Sequence, residues 1–378
     1  MIKPSSLRAA LALVALTAAG ACSHESPAAP SGLALNASVA APGATDDAGA
    51  TYAVIGDMPY GKAKLDSLPQ LIALINHDPA VELVIHVGDI KAGSNSDCSD
   101  TYFASIKGLF DTFQDPLVYT IGDNEWTDCH AFAKHNGLYT PTERLQAIRT
   151  LFFPVPGQTL GRAPRAVFSQ ARDPGHSQYV ENVWWSESDV VFASLDITGS
   201  FNDLAPWSSA PLPWLVTPAD MPADWANFPS QADEFAARTR ADSDLIAQAF
   251  ATATERQARG VVLAFQADMW DPAERVKDPA TFGAGYDAVV QQIGTLAAQF
   301  GRPVLLLEGD SHVWRVDTPF TPGSPLFTMH PNTPVAPNVT RLVVDGSSSP
   351  TSYTRLTINP ARNAQLFTLT RVPLVPGQ

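Results

Sequence analysis

Short apolar runs alternate along this chain with segments whose apolar residues recur every three or four positions. Thr51–Ile55 reads as a strand, and Leu65, Leu68, Leu71, Ile72 and Ile75 fall on one face of a helix. Leu83–Val87 is a second apolar run, so the pattern opens strand, helix, strand. Tyr102–Phe113 has helical spacing, and Leu117–Ile121 and Val190–Ile197 read as strands. Ala-rich helical stretches around 231–258 and 286–300 flank the runs Val261–Phe265 and Val304–Leu307. That order predicts an α/β fold with a largely parallel sheet. From about Thr340 the runs Leu342–Val344, Leu356–Ile358 and Leu366–Leu369 follow one another without helices, which predicts an antiparallel addition to the same domain.

The first residues read differently. Lys3 and Arg8 precede an apolar stretch, Ala9–Ala19, too short to span a membrane and suited to an export signal. It ends in Ala19-Gly20-Ala21-Cys22, which resembles a bacterial lipobox and implies lipid attachment at Cys22, with ordinary signal cleavage as the alternative. Either route predicts export to the periplasm or cell envelope, with the membrane met only through the lipid anchor. The expected organisation is a signal peptide at 1–22, a disordered Ala/Pro/Ser-rich tether at 23–50 and one domain at 51–378. Cys98 and Cys129 then remain, both in polar surroundings, and an oxidising compartment predicts a disulfide between them.

Composition narrows the function classes. With 45% hydrophobic residues in 378, the chain can bury a core without a metal or disulfide. Its 24 Lys+Arg against 38 Asp+Glu give a net charge of −14, and no basic stripe is present, which argues against a stable nucleic-acid complex and leaves small phosphorylated substrates open. Nothing in the composition specifies an oligomeric state.

The chemistry lies where the apolar runs end. Val-Ile-Gly-Asp57, His-Val-Gly-Asp89, Thr-Ile-Gly-Asp123, Phe-Gln-Ala-Asp268 and Leu-Glu-Gly-Asp310 each hand a strand over to a carboxylate. The carboxyl ends of parallel strands form the ligand crevice of α/β sheets, so these groups are expected to converge. Clustered carboxylates repel unless a cation sits between them.

These blocks resemble the calcineurin-like metallophosphoesterases, whose motifs run Asp-x-His, Gly-Asp, Gly-Asn-His-Glu, a lone His and Gly-His-x-His. The corresponding stretches are Asp57-Met58-Pro59, Gly88-Asp89, Gly122-Asp123-Asn124-Glu125, Phe265–Asp268 and Gly309-Asp310-Ser311-His312. Gly56–Tyr60, Gly88–Lys91, Gly122–His130 (with the sequence GDNEWTDC) and Gly199–Asp203 look like an exported bacterial branch of that family. The resemblance implies a four-layer αββα sandwich and two metals bridged by Asp89 that generate a hydroxide for in-line attack on a small phosphoester. It assigns Asp57, Asp89 and His312 to one metal, and Asp89, Asp123, Asp310 and either Gln266 or Asp268 to the other. Oxygen-rich ligation favours Mn, Mg or Ca over Zn, and iron is also compatible.

Two departures bear on activity. Pro59 stands where the family has a ligating His, and Asn124 where it has the His that assists phosphate binding and leaving-group protonation. Lys91 and Arg315 are the nearest motif-adjacent cations for a phosphate, and Asn202 is a further candidate substrate contact. His130 and His135 are candidate replacements for the lost proton donor, whereas His86, inside an apolar run, reads as a core histidine. Gly309-Asp310-Ser311 also looks like the nucleophile block of GDS-type esterases, but no Asp-x-x-His follows it. Two functions therefore stand side by side, a metal-dependent phosphoesterase and a metal-binding pseudoenzyme that holds a ligand or envelope component without turnover.

Overall fold

The apolar runs become the central strands of two sheets in the computed structural model of the chain, which describes residues 49–93, 97–130, 139–207, 227–347 and 352–374. In the first sheet β1 (Thr51–Ile55), β2 (Leu83–His86) and β3 (Leu117–Tyr119) run parallel. Strands β11 (Ser352–Ile358) and β12 (Phe367–Pro373) extend it antiparallel beyond β1, giving the order β12-β11-β1-β2-β3. The second sheet has the order β4-β5-β6-β7-β8-β10-β9. Its parallel centre is β6 (Val190–Ser194), β7 (Gly260–Ala264), β8 (Val304–Glu308) and β10 (Val339–Val343). The short strands β4 (Phe168–Ser169) and β5 (Val183–Glu187) flank one side and β9 (Arg315–Asp317) the other, all antiparallel.

The strands read as unbroken apolar runs because both of their faces are covered. In β1, Tyr52 and Val54 enter a core shared with Phe192, Val262, Leu305 and Leu342 of the second sheet, while Ala53 and Ile55 face helices. The rings of Tyr52 and Phe192 meet edge to face across the sheets, 5.1 Å between centroids. Helices α1 (Lys62–Asn76), α2 (Asp100–Phe110) and α3 (Pro141–Phe152) pack on the outer face of the first sheet. Helices α5 (Gln231–Glu255) and α7 (Pro279–Phe300) cover the second; the single turn α4 (Gly199–Asp203) packs on α7 and α5, and the short α6 (Pro272–Lys277) on α7. Each fully buried Leu- or Phe-sized side chain contributes on the order of 2 kcal/mol, so these cores fix where every strand ends.

The structure is mixed α/β with two multi-strand sheets, and it departs twice from what the apolar pattern by itself predicts. Two sheets replace one largely parallel sheet, and β10, expected in the antiparallel tail, pairs parallel with β8. An apolar run reports burial on both faces but carries no information about its pairing partner. Residues Ala44–Gln378 form one compact unit. Cys98 and Cys129 are bonded, Cα–Cα 5.9 Å, and join the loop after β2 to the loop after β3. Closing a loop of 31 residues contributes about 3–4 kcal/mol on chain-entropy grounds. No described helix is long and apolar enough to cross a membrane. Cys22 lies outside the described residues.

Candidate metal centre

Asp57, Asp89, Asp310 and His312, which follow β1, β2 and β8, all have positive φ, at 51°, 61°, 68° and 63°. This left-handed region is unfavourable for residues with a Cβ, and Asp and His are among those that tolerate it in sharp turns. The glycines of the Gly-Asp pairs serve one another's carboxylates. A Cβ on Gly122 would strike the Asp89 carboxylate, and one on Gly309 would strike that of Asp57. Gly199 similarly leaves room for Asp123 Oδ2 and Asp310 Oδ1, which lie 2.8 and 3.0 Å from where its Cβ would stand. The repeated dipeptide is thus an interlocking set of small residues that lets carboxylates from two sheets approach.

Asp57 Oδ1 accepts the Asp310 backbone N–H at 2.8 Å, which ties the two sheets together. Asp57 Oδ2 is fully buried without a hydrogen-bond donor. Asp89 accepts from the Tyr60 hydroxyl at 2.5 Å and the Asn124 side-chain amide at 2.6 Å through Oδ2, and from the Asn124 backbone at 3.2 Å through Oδ1. His312 Nε2 lies 3.2 Å from the Tyr60 hydroxyl and 3.5 Å from Asp57 Oδ1. Asp57, Asp89 and His312 each offer one ligand atom, and these atoms all lie within 4.8 Å of one another. Burial pushes the carboxyls of Asp57, Asp89 and Asp310 well above the usual range, and Asp123 repels all three further. Burial also lowers the His312 imidazole, leaving it neutral and able to ligate. Two carboxylates, one of them with an orphaned buried oxygen, and one neutral imidazole fit a divalent cation.

The other half of the crevice is held by hydrogen bonds. Asp123 accepts from Gln266 Nε2 at 3.2 Å and Ser200 Oγ at 2.7 Å, and Asp310 Oδ2 accepts the Asp268 N–H at 3.3 Å. Ser200 reaches Asp123 because α4 winds left-handed, with φ of 52°, 59° and 57° at Ser200, Phe201 and Asn202. Strain of this kind persists only where the surroundings enforce it, and here it aims a side chain into the crevice.

Several expected site residues have other tasks. Asp268 sits in a charged cage, bonded to Arg315 and Arg341, and Arg341 also reaches Glu308 at 3.1 Å and Asp317 at 2.7 Å. A carboxylate held by two guanidinium groups is already compensated, so the metal-ligand assignment of Asp268 is corrected to a structural one. The crevice is accordingly less negative than five carboxylates imply, which reduces its repulsion of an arriving phosphate dianion. Lys91 is buried, and its ammonium donates to the carbonyls of Ala92 at 2.8 Å and Asn124 at 2.7 Å. It anchors the Asn124 loop and does not reach out to a substrate. Asn202 is buried too, bonded to Arg238 and to the Gly285 carbonyl, which removes it from the crevice wall.

Arg315 is one-third exposed and donates to Ser311 Oγ at 2.8 Å besides Asp268, so it remains the cation at the crevice edge. Asn124 spends its amide protons on Asp89 and, at 2.7 Å, on Tyr60, which makes it a positioning residue for Asp89. His130 Nδ1 donates to Thr127 O at 2.6 Å, and His135 lies outside the described residues. His86 is a buried structural histidine, accepting the Gly88 N–H at Nδ1 and donating from Nε2 to Met58 O.

Tyr60 and Glu125 went unassigned although both sit inside quoted motif blocks. Glu125 Oε1 accepts the N–H groups of Asp89 and Gly122 and the Tyr119 hydroxyl, so it orders the turns that carry Asp89 and Asp123. The available signal was their position in the Gly56–Tyr60 and Gly122–His130 stretches; nothing local told which way the side chains turn.

No family model matches this chain, and no curated protein matches it. Among solved structures it is similar to GAP50, the anchor in the inner membrane complex of Plasmodium, at 12% identity and a TM-score of 0.45, over 87% of this chain and 86% of that one.

Proposed function

We propose that this chain is a metal-dependent phosphoesterase with the four-layer sandwich of the calcineurin-like metallophosphoesterases. The observation that carries it is the convergence of Asp57, Asp89 and His312, from three strand ends in two sheets, to within 4.8 Å. Those residues would hold one cation. Asp123, Asp310 and Gln266 are the residues left for a second once Asp268 is set aside. When bound, the metal supplies positive charge toward phosphoryl oxygens and acidifies water. Tyr60 and Asn124 orient the Asp89 carboxylate, Glu125 fixes the turn beneath it, and Arg315 offers a guanidinium edge to an arriving phosphate.

The second reading, a metal-binding protein without turnover, is favoured by the full commitment of Asn124 to Asp89 and Tyr60. Export fits the Cys98–Cys129 disulfide, which persists in oxidising compartments. The deciding experiment is a phosphomonoester and phosphodiester panel with the chain loaded in turn with Mn, Mg, Ca, Zn or Fe. Turnover lost in Asp89→Asn supports the esterase; none with any metal, alongside stoichiometric binding, supports the second reading.

A further inference from the structure

At the end of the second sheet opposite the carboxylate crevice, where β7, β8 and β10 begin, the protein has a cavity of about 650 Å³. Arg259, Pro303 and Asn338, the residues just before those strands, lie in its wall, and the β11–β12 connection closes its side. Three arginines, Arg259, Arg302 and Arg362, line it, and among the described residues no Asp or Glu does. In a chain with 24 Lys+Arg against 38 Asp+Glu, that concentration of one sign runs against the composition. The rest of the wall is largely apolar, including Phe367, Leu369 and Val316, and Val316 stays 43% exposed.

The arginines are placed without strong ion pairs. Arg302 stacks on Phe300, 4.3 Å from the ring centroid, and Arg259 donates to the Ala361 carbonyl at 3.3 Å. Arg362 meets Asp189 at 3.4 Å with its side chain 80% exposed. Such an exposed pair contributes little in water and exchanges readily for another anion. The volume falls in the range of small-molecule sites, roughly 300–1,000 Å³. Guanidinium groups over an apolar wall suit a phosphate, sulfonate or carboxylate on an apolar body, and they exclude a metal ion.

We propose that this cavity binds an amphipathic organic anion, separately from the metal centre. The charged group sits among Arg259, Arg302 and Arg362, and the apolar body lies on Val316, Phe367 and Leu369. A soluble amphiphile and an anionic lipid headgroup share that chemistry.

The test titrates the full chain with 8-anilinonaphthalene-1-sulfonate, followed by fluorescence and calorimetry. The expected result is one saturable site per chain whose affinity falls as salt rises. Replacing all three arginines by Gln should weaken it at least about tenfold. Arg362→Glu, at an exposed position, should weaken it in the same direction with an unchanged circular dichroism spectrum and thermal midpoint. Metal binding at Asp57, Asp89 and His312 should be the same in these variants as in the parent chain. Displacement of the sulfonate by octyl phosphate identifies a soluble anion as the ligand class; displacement only by phosphatidylglycerol vesicles identifies the headgroup. Binding that is unchanged in Arg362→Glu, or competed equally well by uncharged N-phenyl-1-naphthylamine, overturns the proposal.

Discussion

The Tyr60 hydroxyl donates to Asp89 Oδ2 at 2.5 Å, and the same hydroxyl accepts from Asn124 and faces His312. One phenol therefore links a carboxylate and the imidazole of the candidate metal centre. Outer partners of this kind orient ligands, and removing one typically costs about 10–100-fold in metal affinity. Tyr60→Phe keeps the ring and deletes the hydroxyl. It should weaken Mn binding within that range by calorimetry while leaving the thermal midpoint of the metal-free chain nearly unchanged; equal affinity would show that Asp89 is oriented by Asn124 alone.

Under the proposed phosphoesterase activity, leaving-group dependence follows from the same groups. Asn124 has no proton to lose usefully, burial raises the Tyr60 phenol well above its ordinary value, and burial keeps His312 neutral. With no well-matched general acid among them, an alkoxide departs poorly, whereas a phenolate with pKa near 7 leaves unaided. A general acid is worth about 10²–10⁴-fold, so aryl phosphodiesters should outrun alkyl ones by at least about 10²-fold. Comparable steady-state rates on matched aryl and alkyl esters would point to a donor elsewhere, such as His130 or His135.

Asp268 and Arg341 support the fold beside the crevice. Arg341 is 1% exposed and answers Asp268, Glu308 and Asp317, so Arg341→Met strands buried charge and should cost about 3–5 kcal/mol in urea unfolding. Asp268→Asn should lower stability yet leave metal stoichiometry unchanged. Loss of one bound metal per chain in that variant would restore Asp268 to the ligand set.

What the sequence disclosed follows from how local each signal is. The carboxylates at Asp57, Asp89, Asp123 and Asp310 were legible because each directly follows an apolar run, and the strands carried them to one place. The fate of Asp268 was not, because its partners Arg315 and Arg341 lie 47 and 73 residues away and are brought near by the pairings of β7 with β8, β8 with β10 and β10 with β9. Lys91 looked available beside its motif, but the turn after Asp89 folds its ammonium back onto the Asn124 carbonyl. The division into two sheets depended on strand partners that periodicity does not encode.

Burial pushes His86 down from 6.5 to about 4. The unfolded chain therefore takes up a proton first as pH falls. The contribution of neutral His86 is fully present above pH 6.5 and is lost progressively toward pH 4, on the order of 3–4 kcal/mol in all. The raised carboxyls of Asp57, Asp89 and Asp310 act in the opposite direction, so the comparison must be with His86→Gln, which does not titrate. Urea midpoints between pH 7.5 and 4.5 should fall more steeply in the parent chain; parallel slopes would mean that His86 protonates in place.

Divalent metal binding at Asp57, Asp89 and His312 is tested most directly by calorimetric titration of Mn into the metal-free chain, alongside Asp89→Asn and His312→Ala. The expected outcome is saturable binding with at least one ion held per chain, lost in Asp89→Asn and weakened at least about tenfold in His312→Ala. Binding absent from the parent chain, or equal in all three proteins, would contradict a metal centre at these residues.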